Sequence, residues 1–589
     1  MALSNLTTPG VYIQELNSFP PSIAPVATAI PAFIGYTEKG PKNAPTRITS
    51  LLDYESTFGG PFHELYTATI DANGNPTITP VSITPADTES PYLLYYHLQM
   101  YFGNGGGPCY IVSVGNYDLT AVPVIDAANL LDGINKTEMA DEVTLLIVPE
   151  AMTLKEATTV ATDGKIKEVY DAMLAQCNKL KDRFCIFDVK TRGVSVFDDG
   201  DKFRNNNVGA NYLNYGSAYY PPLNTTLTRS YSDDEVIIVN TPVSLPFNYT
   251  VAPNNKLSTV HTGIGTFITC TVSQTTSPKL GDYIDFTVGS TVVRLSAGTD
   301  FPVIPATDDE IAAAIINSVN NHPVLSTVAR AEIRTSTDSF FLVARKGDAL
   351  LSVSVATSNT GWLLTPTGSG DAGPGVNNSQ NATLYGTIKT MINNRLLVLA
   401  PSATMAGIYA AVDNDRGVWK APANVGVNVI SGPSVMVTES QQGGLNVDAT
   451  SGKSINVIRT FVGRGTLVWG TRTLDGNSNE WCYVPVRRLF IFAETSVKNA
   501  AEAMVFEPND KNTWLRIKGM IDNFLTDLWK QGALAGDKPE QAFFVRVGLN
   551  DTMTPQDILE GKLIVTIGLA AVRPAEFIIL QFVQQLQQA

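Results

Sequence analysis

The α/β pattern of this 589-residue chain stops near residue 221 and resumes after residue 375, and that interruption limits its possible folds more than any other feature. Before the break, 32–36 (AFIGY), 109–114 (CYIVSV), 143–148 (VTLLIV) and 184–189 (FCIFDV) are continuous apolar runs. Such runs suit parallel strands covered on both faces. Helices are expected between them. One is 91–102, with Ser90 as N-cap and Pro91 at the first helical position. Another is 166–182, where Ile166, Val169, Tyr170, Met173, Cys177 and Leu180 recur at helical spacing.

Residues 222–375 are instead rich in Thr, Ser, Gly, Asn and Pro. They carry short alternating strands at 282–288 and 339–345, a capping box at Thr307–Glu310, and a flexible exit, GSGDAGPG. The α/β pattern returns with strand 395–399 and a helical face of Met405, Ile408, Tyr409 and Val412. A third unit follows from 440. It holds a helix at 511–531, with Trp514, Ile517, Ile521, Phe524 and Leu528 in register, then strands at 542–548, 562–569 and 577–585. The expected fold class is therefore α/β and α+β, multidomain. It comprises an arm (1–30), an interrupted α/β domain (31–221 plus 376–439), a mostly β insertion (222–375) and a C-terminal α+β core (440–589).

Composition narrows the chemistry. With 41 basic and 55 acidic residues the net charge is −14, which argues against nucleic acid as a main partner. Charged residues reach only 16%, below the ordinary ~25%, as in a chain that hides surface against partners. The first basic residue is Lys39, and Pro20, Pro21, Pro25 and Pro31 break the uncharged stretch 19–37. Neither a signal peptide nor a membrane span is expected, and synthesis in the cytoplasm is. Five cysteines without CxxC spacing point to buried thiols rather than a zinc site or a disulfide framework.

Motifs for catalysis are thin. Ser451-Gly452-Lys453-Ser454 imitates the end of a phosphate loop, but Val447 stands where the motif needs glycine. Gly103–Pro108 reads better as a turn than as a dinucleotide loop. His63-Glu64 begins an HExxH pattern that Thr67 breaks. Asp198-Asp199 and Asp233-Asp234-Glu235 read as solvated acids before they read as a calcium site. No catalytic, cofactor or metal residue is expected. An α/β enzyme with a nucleotide site near 451–454 remains the alternative class.

The termini say more. Val11, Tyr12, Ile13, Gln14, Glu15 and Leu16 form a strand with no hairpin mate. Phe577, Ile578, Ile579, Leu580, Gln581, Phe582 and Val583 open a long apolar strand, 577–585, that no charge guards. Edge strands of this kind either pair inside their own chain or add to another chain's sheet. Composition leaves both possibilities open.

Several ordered blocks resemble the contractile tail sheath proteins of phages and phage-like injection systems. They are TPGVYIQEL with PPSIAPVATAIPAFIGYTEKGP, PSATMAGIYAAVDNDRGVWKAPAN (401–424), VIRTFVGRGTLVWGTRTL (457–474), WCYVPVRRLFIFAETS (481–496), WKQGALAGDKPEQAFFVR (529–546) and IGLAAVRPAEFIILQF (567–582). The resemblance covers about 1–220 and 376–589, and it implies a structural protein that polymerises helically around an inner tube and contracts. It implies that Val11–Leu16 and Phe577–Gln585 link neighbouring subunits, and that Leu563, Val565, Ile567, Phe543 and Val545 belong to the receiving sheet. The Pro-rich 19–31 segment is the expected hinge. Lys511, Arg516, Lys518 and Lys530 are candidates for tube contact, with a solvated helix face as the other reading. Implied partners are further copies of the chain, the tube protein, and baseplate and terminator proteins, with no nucleic acid and no membrane insertion. A non-contractile tube or shell protein with the same strand exchange is the third possibility.

Overall fold

The apolar runs become the middle of an eight-stranded sheet. Its order is Thr46–Ile48, Cys109–Asn116, Pro31–Thr37, Leu145–Ile147, Phe184–Asp188, Gly216–Tyr220, Ile455–Phe461, Gly465–Trp469. All central pairings are parallel and only the two edge strands are antiparallel. Every residue of Pro31–Thr37 is buried, as expected of a strand with helices on both faces. The computed structural model describes residues 23–70, 76–80, 89–118, 124–154, 164–191, 194–240, 257, 267–274, 279–280, 282–288, 291–300, 307–322, 329–333, 339–344, 351–356, 362–370 and 378–580. The Val11–Leu16 strand lies outside them, as do residues 581–585.

Three expected boundaries move. Ile455–Phe461 pairs in parallel with Gly216–Tyr220, so the large sheet runs well past residue 440. The run INVIRTF carries apolar character but no mark of which strand it will join. The insertion also starts later than 222. Leu223–Thr228 pairs with Leu396–Leu399 and Ile430–Pro433, and Val236–Asn240 pairs with Tyr66–Ile70. Its first strand, LNTTLT, reads as part of the polar insertion because it lies in a small half-exposed sheet. Helix 91–102 in fact begins at Leu94 and ends at Gly103. Ser90 does not cap it, because its hydroxyl accepts the Tyr92 amide instead.

Among the described residues, the insertion's own strands pair with one another. Ala329–Ile333, Ser339–Ala344, Phe267–Gln274 and Trp362–Gly370 make one antiparallel sheet; Thr291–Ser296, Tyr283–Val288 and Leu351–Ala356 make another. The last strand of the first sheet absorbs Gly368–Gly370 of the expected flexible exit. The Thr307–Glu310 capping box is present and starts the Asp308–Asn321 helix.

The C-terminal core is built on two helices. Val484–Glu502, here the anchor helix, supplies Leu489, Phe492 and Ala493; Lys511–Lys530 supplies Ile517, Ile521, Phe524 and Leu528. Phe492 and Phe524 meet with ring centroids 6.0 Å apart. The predicted apolar spacing of the second helix is the face that is buried. Trp514 is the exception, half-buried, with its indole nitrogen donating to Asn509 Oδ1 at 2.7 Å.

Candidate assembly interface

A two-stranded antiparallel sheet rests on this helical pair. Phe543↔Leu569, Phe544↔Gly568, Val545↔Ile567 and Arg546↔Thr566 set its register. Of the predicted receiving residues, Phe543, Val545 and Ile567 lie in the two strands. Leu563 and Val565 precede the second strand, which is shorter than expected and begins at Thr566. All five pack toward the core cluster of the two helices. Phe544 covers Gly568 so closely that a Cβ there would lie 2.2 Å from its ring. Among the described residues no third strand joins this sheet, although two-stranded sheets are marginal on their own.

Both terminal segments are rooted on or beside the anchor helix. At the N-terminal side, Ile23 is buried in the helical core. The Val26 amide donates to Ser496 Oγ at 3.2 Å, and the Thr28 carbonyl accepts from Arg488 Nη2 at 2.8 Å. The Ile30 amide donates to Thr144 Oγ1 at 2.8 Å. Residues 23–30, Pro25 included, are therefore held at several points, while residues 19–22 of the expected hinge lie outside the described residues. A cleft of about 430 Å³ opens beside them, lined by Thr28, Phe184, Arg488, Ile491 and Phe492 among others.

Arg488 is the centre of this root. Its guanidinium grips Asp413 through two hydrogen bonds of 2.9 and 2.5 Å, and both side chains are nearly sealed from solvent. It lies 4.6 Å over the Tyr409 ring, whose hydroxyl pairs with Ser217 (3.1 Å) and Tyr219 (2.7 Å) on the large sheet. Tyr409 and Asp413 belong to the Ser402–Arg416 helix. Gly407 lets that helix touch the Leu94–Gly103 helix, since a Cβ there would lie 2.4 Å from the Tyr101 carbonyl oxygen. One buried arginine thus joins the N-terminal segment, the large sheet's helix layer and the C-terminal core.

The C-terminal side has its own root. After Leu569 the chain runs back along 533–535: Ala535 donates to the Ala570 carbonyl and Val572 to that of Ala533. The Glu576 carboxylate then receives Arg472 (2.6 Å from Nη2), Asn446 (2.6 Å) and Tyr483 (3.1 Å). Its neighbours hold it below the usual carboxylate range, through hydrogen bonds from Arg472 and Asn446 that outweigh partial burial. Immediately beyond it, Phe577, Ile578, Ile579 and Leu580 are 71–82% exposed and form no strand.

The remaining predicted residues separate. Lys511, Arg516 and Lys530 are exposed and Lys518 is half-exposed, on the solvent side of the Lys511–Lys530 helix. Lys453 is buried. Its ammonium donates to the Val208 carbonyl at 2.9 Å and also to that of Arg204. Its donors are engaged by carbonyls, and the residues before it form a helix, Glu439–Asn446, rather than a glycine loop. His63 pairs with Glu235 at 3.6 Å, and Asp198 with Lys202 at 2.9 Å. Among the described residues no cluster of His, Cys, Asp or Glu is placed to hold a metal ion, and no helix is long and apolar enough to cross a membrane.

Sheets with this strand order usually bind ligands where the order reverses, on either side of the first strand. Here that crevice is filled from within. Glu150 follows Leu145–Ile147; its Oε2 accepts the Tyr36 amide (2.9 Å) and its Oε1 those of Leu93 and Leu94 (3.0 and 3.1 Å). The helix N-terminus that a phosphate would use is thus occupied by the chain's own carboxylate. Burial pushes that carboxyl up to about 8. Asp188 repeats the arrangement at the next strand. It accepts the Ser402 amide at 2.7 Å and is pushed up to about 7.

Comparison with known proteins finds similarity to tail sheath proteins. Residues 477–585 match the phage tail sheath C-terminal domain. Over 191 residues the chain is 26% identical to the tail sheath protein of Vibrio phage KVP40, a match spanning 32% of this chain and 27% of that protein's length. A chain of the six-fold symmetrised anti-feeding prophage baseplate is 28% identical, with 99% and 100% of the two chains covered and a TM-score of 0.51. The anti-feeding prophage helical sheath in its contracted state is 27% identical, with 98% and 100% covered and a TM-score of 0.50. The contracted sheath complex of the extracellular injection system PVC shares the fold, at 24% identity with 98% of each chain covered and a TM-score of 0.51.

Proposed function

We propose that the chain belongs to the contractile tail sheath proteins and is the structural subunit of a sheath which polymerises helically and contracts around an inner tube. The observation that carries this reading is a sheet with only two strands among the described residues, beside an apolar segment, 577–580, left in solvent. A sheet that lacks strands and a strand that lacks a sheet are complementary when the second comes from a neighbouring copy. Val11–Leu16 and Phe577–Gln585 would then complete the Phe543–Arg546/Thr566–Leu569 sheet of adjacent subunits. Such contacts are heterologous and do not close on themselves, so they build a filament.

Contraction requires two packings of one chain, the extended one trapped at assembly on tube and baseplate. Strand pairing survives that change because ladder hydrogen bonds bind backbone to backbone while the segments beside them bend. The insertion sits best on the outer surface, where its self-paired sheets need no neighbour. Lys511, Arg516, Lys518 and Lys530, interspersed with Asp522 and Asp527, would present a charged helix face to the tube. The chain supplies no chemistry of its own in this reading; release of the strained lattice does the work. Electron microscopy of polymers from the full chain and from a chain lacking 577–589 tests it. The full chain should form long tubes and the truncated, folded chain should not. Ordered tubes from the truncated chain would sink the linking-strand reading, and a tube that never adopts a shorter, wider lattice would sink contraction.

A further inference from the structure

The C-terminal strand carries a register problem. Side chains alternate along a strand, so a slip of one residue exchanges its two faces. In a strand, Phe577, Ile579, Gln581 and Val583 would share one face and Ile578, Leu580 and Phe582 the other, so both faces would be mostly apolar. Hydrophobic patterning, which normally pins register, says little here. Something other than the strand must set where it starts.

We propose that Glu576 is a positioning residue that sets this start. The inference rests on the strand-exchange reading above. Three donors from three parts of the fold converge on its carboxylate: Asn446 at the end of the Glu439–Asn446 helix, Arg472, and Tyr483 at the N-cap of the anchor helix. Arg472 is itself fixed, bridged to Tyr483 through the backbone and donating from Nη1 to the Gly476 carbonyl at 3.3 Å. The clamp therefore closes one residue before the exposed segment begins. It fixes both the direction in which the arm leaves and the number of residues between a rigid point and the neighbour's sheet. With Glu576 held, a one-residue slip would stretch or buckle the chain at Phe577, so one register is selected from two that the mostly apolar faces distinguish weakly.

The test compares E576Q, E576A and the exchanged pair R472E/E576R with the wild-type chain and the 577–589 truncation. Each is scored for the melting temperature of the soluble subunit, the threshold concentration for polymerisation, and order in the tubes by electron microscopy. The clamp predicts a melting temperature close to wild type in E576Q. It predicts a threshold raised about ten- to a hundredfold in E576A, the range that charged hydrogen bonds represent. Residual tubes should show blurred C-terminal strands, and the exchanged pair should recover part of the order. Ordered E576A tubes at the wild-type threshold, with the truncation still defective, would overturn the clamp and leave strand exchange standing. Normal tubes from the truncation would overturn strand exchange itself. A melting temperature that falls and recovers in step with assembly across all variants would make Glu576 an ordinary fold contact and end the proposal.

Discussion

Replacing Arg488 by alanine should loosen the root of the N-terminal segment more than any other single truncation there. Three interactions go at once: the paired hydrogen bonds to Asp413, the bond to the Thr28 carbonyl, and the stack on Tyr409. The side chains of Arg488 and Asp413 are only 3% and 4% exposed, so removing one leaves a buried carboxylate without its counter-ion. That alone costs about 3–5 kcal/mol. The abandoned carbonyl adds about 1–3 kcal/mol where water does not replace the donor. The terms share one side chain and do not simply add. About 4 kcal/mol is the working expectation, built on the central value for the broken pair. The assay is native-state hydrogen exchange of the amides of Val26 and Ile30, which the intact root protects through Ser496 and Thr144. If about 3 kcal/mol of the loss appears as local opening, exchange there should accelerate about a hundredfold. The double variant R488M/D413L should recover most of the protection, because replacing a whole buried pair with apolar groups is often neutral. A single variant that accelerates exchange less than about threefold, against the tenfold that 1.4 kcal/mol represents, would refute the reasoning. So would a double variant worse than the single.

Other expectations follow from the same geometry. Glu150 and Asp188 are raised in the fold, to about 8 and about 7, from ordinary carboxylate values. Between those values the folded chain holds more protons than the unfolded one, so stability should rise as pH falls from about 8 toward 5 and decline as pH rises through 7–8. E150Q should flatten that slope in thermal melts from pH 5 to 8.5, while costing stability because its amide nitrogen faces the Tyr36 N–H. G407A should destabilise by about 1–3 kcal/mol, seen as a lower denaturation midpoint, because its methyl meets a backbone carbonyl that cannot swing aside. K453A should lower the melting temperature by stripping the donor from the Val208 carbonyl, and adding nucleotide should leave wild-type melting unchanged. A nucleotide-dependent rise would revive the enzymatic reading.

Local pattern made much of this fold legible. Apolar runs gave the parallel strands, and the 3–4 spacing of Ile517, Ile521, Phe524 and Leu528 gave the buried face of a long helix. What stayed hidden depends on partners far apart in sequence. Glu150, Arg488 and Glu576 look like any surface charge in the sequence. Their roles arise because residues dozens to hundreds of positions away close around them. The Ser90 cap failed for this reason: a local hydroxyl was available, but a distant carboxylate reached the helix end first. The boundary at 440 failed because an apolar strand does not announce its neighbour. The two strands Phe543–Arg546 and Thr566–Leu569 were legible to within a few residues, since they are regular and close in sequence.

The anchor helix gives the subunit a particular mechanical form. Tyr483 at its start belongs to the C-terminal root, while Arg488 and Ser496 along its length belong to the N-terminal root. Thirteen residues of helix separate the first of these from the last, about 20 Å of stiff rod. On the strand-exchange reading, part of a pull arriving through one arm would pass along that rod to the other. On that reading each subunit would act as a chain-mail link with both rings fixed to one bar. The remaining domains would then ride on the mesh as passengers, free to change their packing while the tensile path stays the same.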